Sequence, residues 1–516
     1  MTKNFKDHLF SLIKSLSKSE KRQFKLYVGR LGVNEDSKFL LLFNVIDKMT
    51  SYNELDILQK GFVTKQQLSN LKAHLYKQIL ISLRLNPSHQ SIRIQIREQL
   101  DFATILYSKG LYKQSLKILD KAKQSALLNE EKNVAYEIIE LEKVIESQYI
   151  TRSGSNRAER LVAQSEAVSV ENMLASQLSN LSLKLYEKFL KTGYVKNKTE
   201  HNELTKYFKT HLPKVEINVI GFREKLWYFK SHLWYSFLTQ DFLSCYKYAK
   251  KWVELFYENP PMIQLHPVFF LRGNQYLMEA LFYTQNDKKF LSAINKFQNT
   301  YNSNDFPKDD NIESLGFLYL YSNKFNLCFI KGDFKTAYAI IDDVINGISQ
   351  FKNRLDQHHI MVLYYKIASV YFCVGDYKKC IHFLDKIISD KSLSMREDLM
   401  CFSRILNLVA HYEAALDYNL DSLIKSTYKF LIKMQDLYEV QKEMMRFLRS
   451  LPDMFPAQLK TEFNNLHKKL KVFEFHPYER RAFLYLDILS WLESKIKDVP
   501  VDQILRQKYL SSKKNI

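Results

Sequence analysis

The side chains of this chain best suited to gripping a partner are concentrated in one stretch. Between Lys225 and Tyr257 stand Trp227, Tyr228, Trp234, Tyr235, Trp252, Phe256 and Tyr257, which include three of the four tryptophans. On a helix Trp227 and Trp234, seven apart, share a face, as do Tyr228 and Tyr235, and the two pairs diverge by about 100°. Only one pair therefore faces a partner. Aromatic side chains exposed in a concave surface are natural anchors for a bound segment, so Trp227, Tyr228, Trp234 and Tyr235 are the candidate partner-binding residues. Plain core packing is the competing role.

A second constellation would read nucleic acid. Asn53 to Lys60, a Gly61-Phe62-Val63 turn and a helix opening at Thr64 have the order of a helix-turn-helix, whose second helix reads the major groove through its first residues. Thr64, Lys65, Gln66, Gln67 and Asn70 are the candidate DNA-reading residues. Any helical hairpin capping a longer array has the same pattern. The balance of 76 basic against 56 acidic residues gives +20, enough to attract polyanions. Yet 58 of the basic residues are Lys, less suited than Arg to bidentate phosphate contacts, and their even spread is that of a solvated face.

Catalytic and metal chemistry find less support. The chain lacks Gly-x-Gly-x-x-Gly, a phosphate loop ending Gly-Lys-Ser/Thr, His-Glu-x-x-His and Gly-x-Ser-x-Gly. His358 and His359 are adjacent and diverge on a helix, so they hold one metal only with a third ligand from elsewhere. Polar residues at a helix start are the simpler reading. Cys245, Cys328, Cys373, Cys380 and Cys401 form an odd, scattered set with no Cys-x-x-Cys spacing, as reduced core thiols do. Cys373 and Cys380 flank the turn at Gly375 and would face each other across it, inert and buried. The expectation is a protein that is not an enzyme, with no cofactor, metal or small-molecule substrate.

Helices must carry these residues. Phe and Tyr number 35 and 32, whereas Gly and Pro number only 12 and 10, a balance that favours long helices over turns and short strands. All ten prolines fall between periodic segments or at their starts. A chain of 516 residues exceeds what one core organises. One pattern recurs along it: an apolar helix, a polar turn, an aromatic, a second apolar helix. The turn aromatics are Tyr112, Phe242, Phe290, Phe334, Tyr377 and Tyr418, the last five separated by 48, 44, 43 and 41 residues. The 130 residues from Tyr112 to Phe242 leave room for two degenerate repeats, with turns at Gly154 to Arg157 and Gly193 to Lys198. Three residues after the first five aromatics come Ser115, Cys245, Ala293, Ala337 and Cys380, all small, which lets paired helices approach closely. An all-helical repeat of this length is a helical-hairpin array.

Lys-Gly-Leu-Tyr at 109 to 112, Lys-Gly-Asp-Phe at 331 to 334 and Val-Gly-Asp-Tyr at 374 to 377 resemble the inter-helix turn of the tetratricopeptide-repeat-like superfamily. The resemblance covers about residues 91 to 440, with a longer period than the family's usual length of about 34. It implies a right-handed superhelix with a concave groove for peptides or partner helices.

The ends read differently. Ser17 with Glu20 and Thr64 with Gln67 form capping boxes, and Leu68, Leu71, Leu75, Ile79 and Leu83 make one apolar stripe. Phe483, Leu484, Leu486, Ile488, Leu489 and Trp491 belong to a helix apolar on most sides, followed by a solvated tail at 511 to 516. The expected fold is thus all-α: an N-terminal helical domain (1–90), a tetratricopeptide-repeat-like solenoid of hairpins (91–440), and a C-terminal helical cap with a short tail (441–516). The N-terminus lacks the apolar core of a secretory signal and no run of 18 apolar residues exists, so a cytoplasmic location is expected. The expected function is a protein-protein interaction scaffold or adaptor that binds a partner peptide or helix in its groove. The alternative is a nucleic-acid-binding regulator with an N-terminal helix-turn-helix and a repeat-built sensor domain.

Overall fold

The computed structural model describes residues 7–30, 32, 37–86, 89, 91–148, 156–390, 397–416, 420–433, 439–450, 456–474, 476, 478, 479, 483 and 487–514. Its elements are α-helices, with no strand among the described residues. No helix among them is long and apolar enough to cross a membrane. The chain divides into two compact units, Met1–Val168 and Ser169–Ile516.

In the first unit α1 (His8–Ser15), α2 (Lys18–Arg30), α3 (Lys38–Lys48), α4 (Glu54–Gln59) and α5 (Lys65–Arg84) enclose one core. The apolar stripe of α5 faces it through Leu68, Leu75 and Ile79. The Ser17 capping box forms: Ser17 N–H donates to Glu20 Oε2 at 2.6 Å and Glu20 N–H to Ser17 Oγ at 3.2 Å. The one expected at Thr64 does not. Thr64 makes no side-chain cap, and the Gln67 side chain, which would complete the box, accepts from Lys38 Nζ at 3.2 Å. Past residue 90 a second core takes over, built by α6 (Ile92–Ser108), α7 (Tyr112–Leu128) and α8 (Lys132–Gln148). Ser115 is fully buried there and donates to the Ala103 carbonyl at 2.8 Å, the close approach its small side chain permits. The helix α9 (Arg157–Thr192) includes the last residues of the first unit and the first of the second.

The second unit continues with α10 (Lys198–His211), α11 (Phe222–Leu238), α12 (Phe242–Glu258), α13 (Pro261–Leu265), α14 (Pro267–Tyr283) and α15 (Asp287–Tyr301). Next come α16 (Asp310–Lys331), α17 (Phe334–Ala339), α18 (Ile341–Gln350), α19 (Gln357–Cys373), α20 (Tyr377–Ile388), α21 (Glu397–Glu413) and α22 (Leu420–Lys433). The last are α23 (Glu439–Ser450), α24 (Pro456–Lys471), α25 (Ile488–Lys497) and α26 (Val501–Lys514). One continuous core runs from Leu181 to Leu492.

The hairpins α11–α12, α14–α15, α16–α17 and α19–α20 close with the same two-residue device. The first residue is left-handed: Gln240, Gln285, Gly332 or Gly375, with φ of 58°, 53°, 61° and 81°. The N–H of the second returns to the carbonyl five residues earlier, at 3.0 Å from Asp241, 3.1 Å from Asn286 and 2.9 Å from both Asp333 and Asp376. This is a Schellman ending. The side chain of the same residue then accepts an N–H of the next helix, from Ser244, Lys289, Thr336 or Lys379 at 3.0 to 3.2 Å. Two residues thus end one helix and start the next.

That geometry revises the register read from aromatics. The left-handed residues lie 45, 47 and 43 apart. After the turn at Gln285 the first helical residue is Asp287, where the other hairpins have Phe242, Phe334 and Tyr377. Phe290 itself, not Ala293, falls at the close-packed position held by Cys245, Ala337 and Cys380. All four are fully buried while Ala293 is half-buried. At the other expected turns, Gly193 is left-handed and Asn197 caps α10, accepting from Glu200 N–H at 2.9 Å. Gly154, Tyr418, Leu484 and Leu486 lie outside the described residues. The expected tail is a correction: residues 511–514 are helical, within α26, because this helix is anchored by Tyr509 and Lys513 to Asp287.

Candidate functional site

The second unit holds a cavity of about 1470 Å³. Its walls are the first helices of successive hairpins, α11, α14, α16 and α19, together with the end of α9 and one side of α26. Aligned on the left-handed residue of each turn, these walls share a pattern. Three residues before it stand Phe237, Phe282, Phe329 and Phe372, all lining the cavity. Six before it stand Trp234, Glu279, Asn326 and Ser369, also in the lining. Nine, ten and thirteen before it come Tyr276, Gln275 and Arg272 on α14, and Asn323, Ser322 and Tyr319 on α16. The same places hold Lys366, Tyr365 and Val362 on α19. These offsets fall on one face of a helix. Each hairpin therefore turns the same face to the cavity, and much of that face is polar where a core face would be apolar.

The polar side chains are knit together across helices. Asn323 Nδ2 donates to Gln275 Oε1 at 2.5 Å, joining α16 to α14. Asn326 Nδ2 donates to Asn323 Oδ1 at 3.3 Å, and the Lys366 ammonium of α19 donates to Asn326 Oδ1. Arg272 reaches the Tyr319 hydroxyl. On α11 the corresponding positions are Lys230 and Trp227, with the Lys230 ammonium 4.6 Å from the Trp227 ring centre.

Arg272 and Lys366 stand in the cavity lining and Lys230 lies outside it; none of the three forms an ion pair with a carboxylate among the described residues, while Glu279 lies on the same face. Burial first, and then the charge of Arg272, bring Lys230 down to about 8. Burial also brings Lys366 down to about 8, against the opposing field of Glu279. Several carboxylates of the lining are already engaged. Asp287 accepts from Tyr509 at 2.8 Å and pairs with Lys513. Asp487 caps α25 through Ser490 N–H at 2.9 Å. Asp356 caps α19 and is held down to about 2, chiefly by the hydrogen bond from His359.

The four aromatic candidates on α11 separate. Trp234 lies in the cavity wall, 6% exposed, with ring centres 4.9 Å from Tyr186, 5.4 Å from Phe189 and 5.7 Å from Tyr276. Its indole N–H has no partner among the described residues. Trp227 is on the same side of α11 but outside the lining, edge-on to Phe269 at 5.7 Å. Tyr235 stacks on Phe208 at 4.3 Å and shares a 2.9 Å hydrogen bond with Thr205. Tyr228 packs 4.5 Å from His232. Tyr235 ties α11 to α10, Tyr228 packs along its own helix, and neither lines the cavity.

In the first unit Thr64, Lys65, Gln66, Gln67 and Asn70 are all exposed, on or just ahead of the first turns of α5. His358 and His359 occupy the first turn of α19. Among the described residues no three His, Cys, Asp or Glu side chains are grouped to hold a metal. All five cysteines are free, Cys380 fully buried and Cys373 in the cavity wall.

No protein family, curated protein or solved structure matches this chain. The chemistry of the cavity therefore carries the functional reading. Sequence reasoning missed Arg272, Asn326 and Lys366. A signal existed for Lys366, the single charged residue of the otherwise apolar or uncharged α19, a place where a cation has to have a reason.

Proposed function

We propose that the second unit is a non-catalytic interaction module, a tetratricopeptide-like superhelix whose concave face is this cavity wall, and that it receives an acidic segment of a partner protein. The observation that carries the reading is the pair of cations Arg272 and Lys366 in the cavity lining, with Lys230 at a corresponding place on α11 outside the lining, none of them ion-paired to a carboxylate among the described residues. Burying cations without ion-pair partners is unfavourable in the free protein. Complementary carboxylates recover that free energy on binding, with the guanidinium of Arg272 offering a planar fork to one of them. Phe282 and Phe329, half-buried in the lining, supply apolar area for the same segment, with Phe237 and Phe372 buried in the same row. The repeated turn and its near-regular spacing support the superhelix. The free cysteines are those of a reducing compartment, which supports a cytoplasmic scaffold.

The test uses a fluorescein-labelled amphipathic peptide with glutamates on one face and leucines on the other. Anisotropy should report binding that weakens about ten-fold or more in Arg272→Leu, the loss expected of a charge-assisted pair. A matching peptide with Gln in place of Glu should bind far more weakly. Equal binding of the two peptides overturns the reading.

A specific observation favours a second role for the first unit, in DNA binding: five exposed polar side chains at the start of α5, in a segment of 90 residues with 15 basic and 7 acidic groups. Retention on duplex DNA should then fall steeply with salt and weaken in Lys65→Ala. Salt-insensitive retention, or none, refutes it.

A further inference from the structure

The last helix of the chain is part of the cavity wall, to which α26 contributes Leu505, Lys508, Tyr509, Ser512 and Lys513. It is held across two successive hairpin turns. At the α14–α15 turn the Tyr509 hydroxyl donates to Asp287 Oδ2 at 2.8 Å and the Lys513 ammonium pairs with the same carboxylate. At the α16–α17 turn Arg506 Nη1 donates to the Lys331 carbonyl at 2.8 Å. Further along, Lys508 lies 3.0 Å from Glu493 and 2.8 Å from Ser490 Oγ. The apolar attachment is slight. Ile504 is fully buried, whereas Leu510 is 47% exposed and Val501 and Leu505 are half-buried.

Gly332 records the closeness of this docking. A Cβ there would come within 2.8 Å of the Arg506 backbone nitrogen and 2.9 Å of its Cα. The left-handed conformation alone does not demand glycine at this turn. Gln240 and Gln285 adopt it in the same device, with φ of 58° and 53° against 61° at Gly332. At Gly375 an added Cβ would meet nothing within 4 Å. At 332 the backbone of α26 leaves no room for a side chain, whereas at 375 the space is open.

We propose that α26 is an internal occupant of the cavity face, held by Asp287 and the bare turn at Gly332, which a partner must displace in order to bind. This rests on the reading of the cavity as a partner-binding face. A helix with little buried apolar surface and mainly polar ties belongs to the low-stability end of a fold, from which displaceable elements are drawn. When it leaves, the strip between the two turns and the side chains behind it become open to the partner.

The experiment compares Gly332→Ala with Gly375→Ala in the full chain. Both place a Cβ on left-handed backbone, and only the first meets α26. Hydrogen exchange over residues 501–514 reads release, and the Glu/Leu peptide reads binding. In Gly332→Ala exchange should rise about ten-fold over Gly375→Ala and the peptide should bind tighter by a similar factor, because affinity scales with the fraction of open protein. Asp287→Asn, which loses the shared anchor of Tyr509 and Lys513, should act in the same direction and serves if Gly332→Ala does not fold. Exchange that is alike in Gly332→Ala, Asp287→Asn and Gly375→Ala overturns the proposal. Release with peptide affinity unchanged overturns the competitor role alone. Release with no peptide binding in any variant overturns the reading of the cavity and the competitor role with it.

Discussion

Replacing Lys230 with methionine should stabilise the second unit. Burial and the charge of Arg272 bring this ammonium from the ordinary 10.5 of a lysine to about 8. A depression of that size corresponds to about 3 kcal/mol of lost stability at neutral pH. Against it stands the contact with the Trp227 ring at 4.6 Å, worth about 0.5–1 kcal/mol. Lys230 makes no hydrogen bond or ion pair among the described residues that would be left broken. Methionine keeps the unbranched stem without the charge. The expected gain is about 2 kcal/mol, set by the difference of these two effects. Its pH dependence has a definite sign. Below pH 8 the folded and unfolded chains are both protonated and the penalty is complete. Between about 8 and 10.5 the unfolded chain keeps a proton that the folded chain has released, so wild-type stability gains from this residue as pH rises. Above 10.5 the penalty is gone. The advantage of the variant should therefore shrink from about pH 7.5 to about pH 10. Trp227, Trp234, Trp252 and Trp491 are the only tryptophans of the chain and all belong to the second unit. Tryptophan fluorescence in urea thus follows that unit without interference from the first. A variant less stable than wild type at pH 7.5, or an advantage that stays flat to pH 10, refutes the reasoning.

Two further substitutions test the packing of the second unit. Trp234→Ala removes a nearly buried ring from the cavity wall and should cost about 3–5 kcal/mol in urea unfolding. Trp234→Phe, which keeps an aromatic ring in the wall, is the variant to use when binding is measured. Gly347→Ala gains about 1 kcal/mol of helix propensity in α18, but the new methyl overlaps the ring of Phe317, which packs 5.3 Å from Phe351. Overpacking of that kind costs about 1–3 kcal/mol, so its urea midpoint should fall, and a rise would show that the ring yields freely.

What the sequence reveals of this protein depends on how local the responsible physics is. Gly332-Asp333 and Gly375-Asp376 read as turns because both members have distinctive chemistry, a left-handed backbone and a capping side chain. Gln240-Asp241 and Gln285-Asn286 perform the same task with a first residue that carries no left-handed signature. There the reader leans on the nearest aromatic, and at Phe290 that marker stands three residues late. Three residues turn a helix through about 300°, so the hairpin survives the misreading while the close-packed position passes from Phe290 to Ala293. The site is less legible than the fold because a helix face acquires meaning only from its neighbours. Clustered tryptophans draw attention to α11, yet of the four candidates there only Trp234 lies in the cavity lining, while Arg272 and Lys366 are hidden among 76 basic residues. Aligning the helices on their turns instead of their aromatics brings Phe237, Phe282, Phe329 and Phe372 into one row and sets the polar residues beside it. Residues 511–514 show the limit. Their composition is that of a solvated tail, and the ties holding α26 reach back to Asp287, 222 residues before Tyr509. Nothing near residue 511 encodes that contact. Its one local trace is at the far side, in the glycine at 332, where a Cβ would meet the backbone of α26 although the same turn accepts glutamine at 240 and 285.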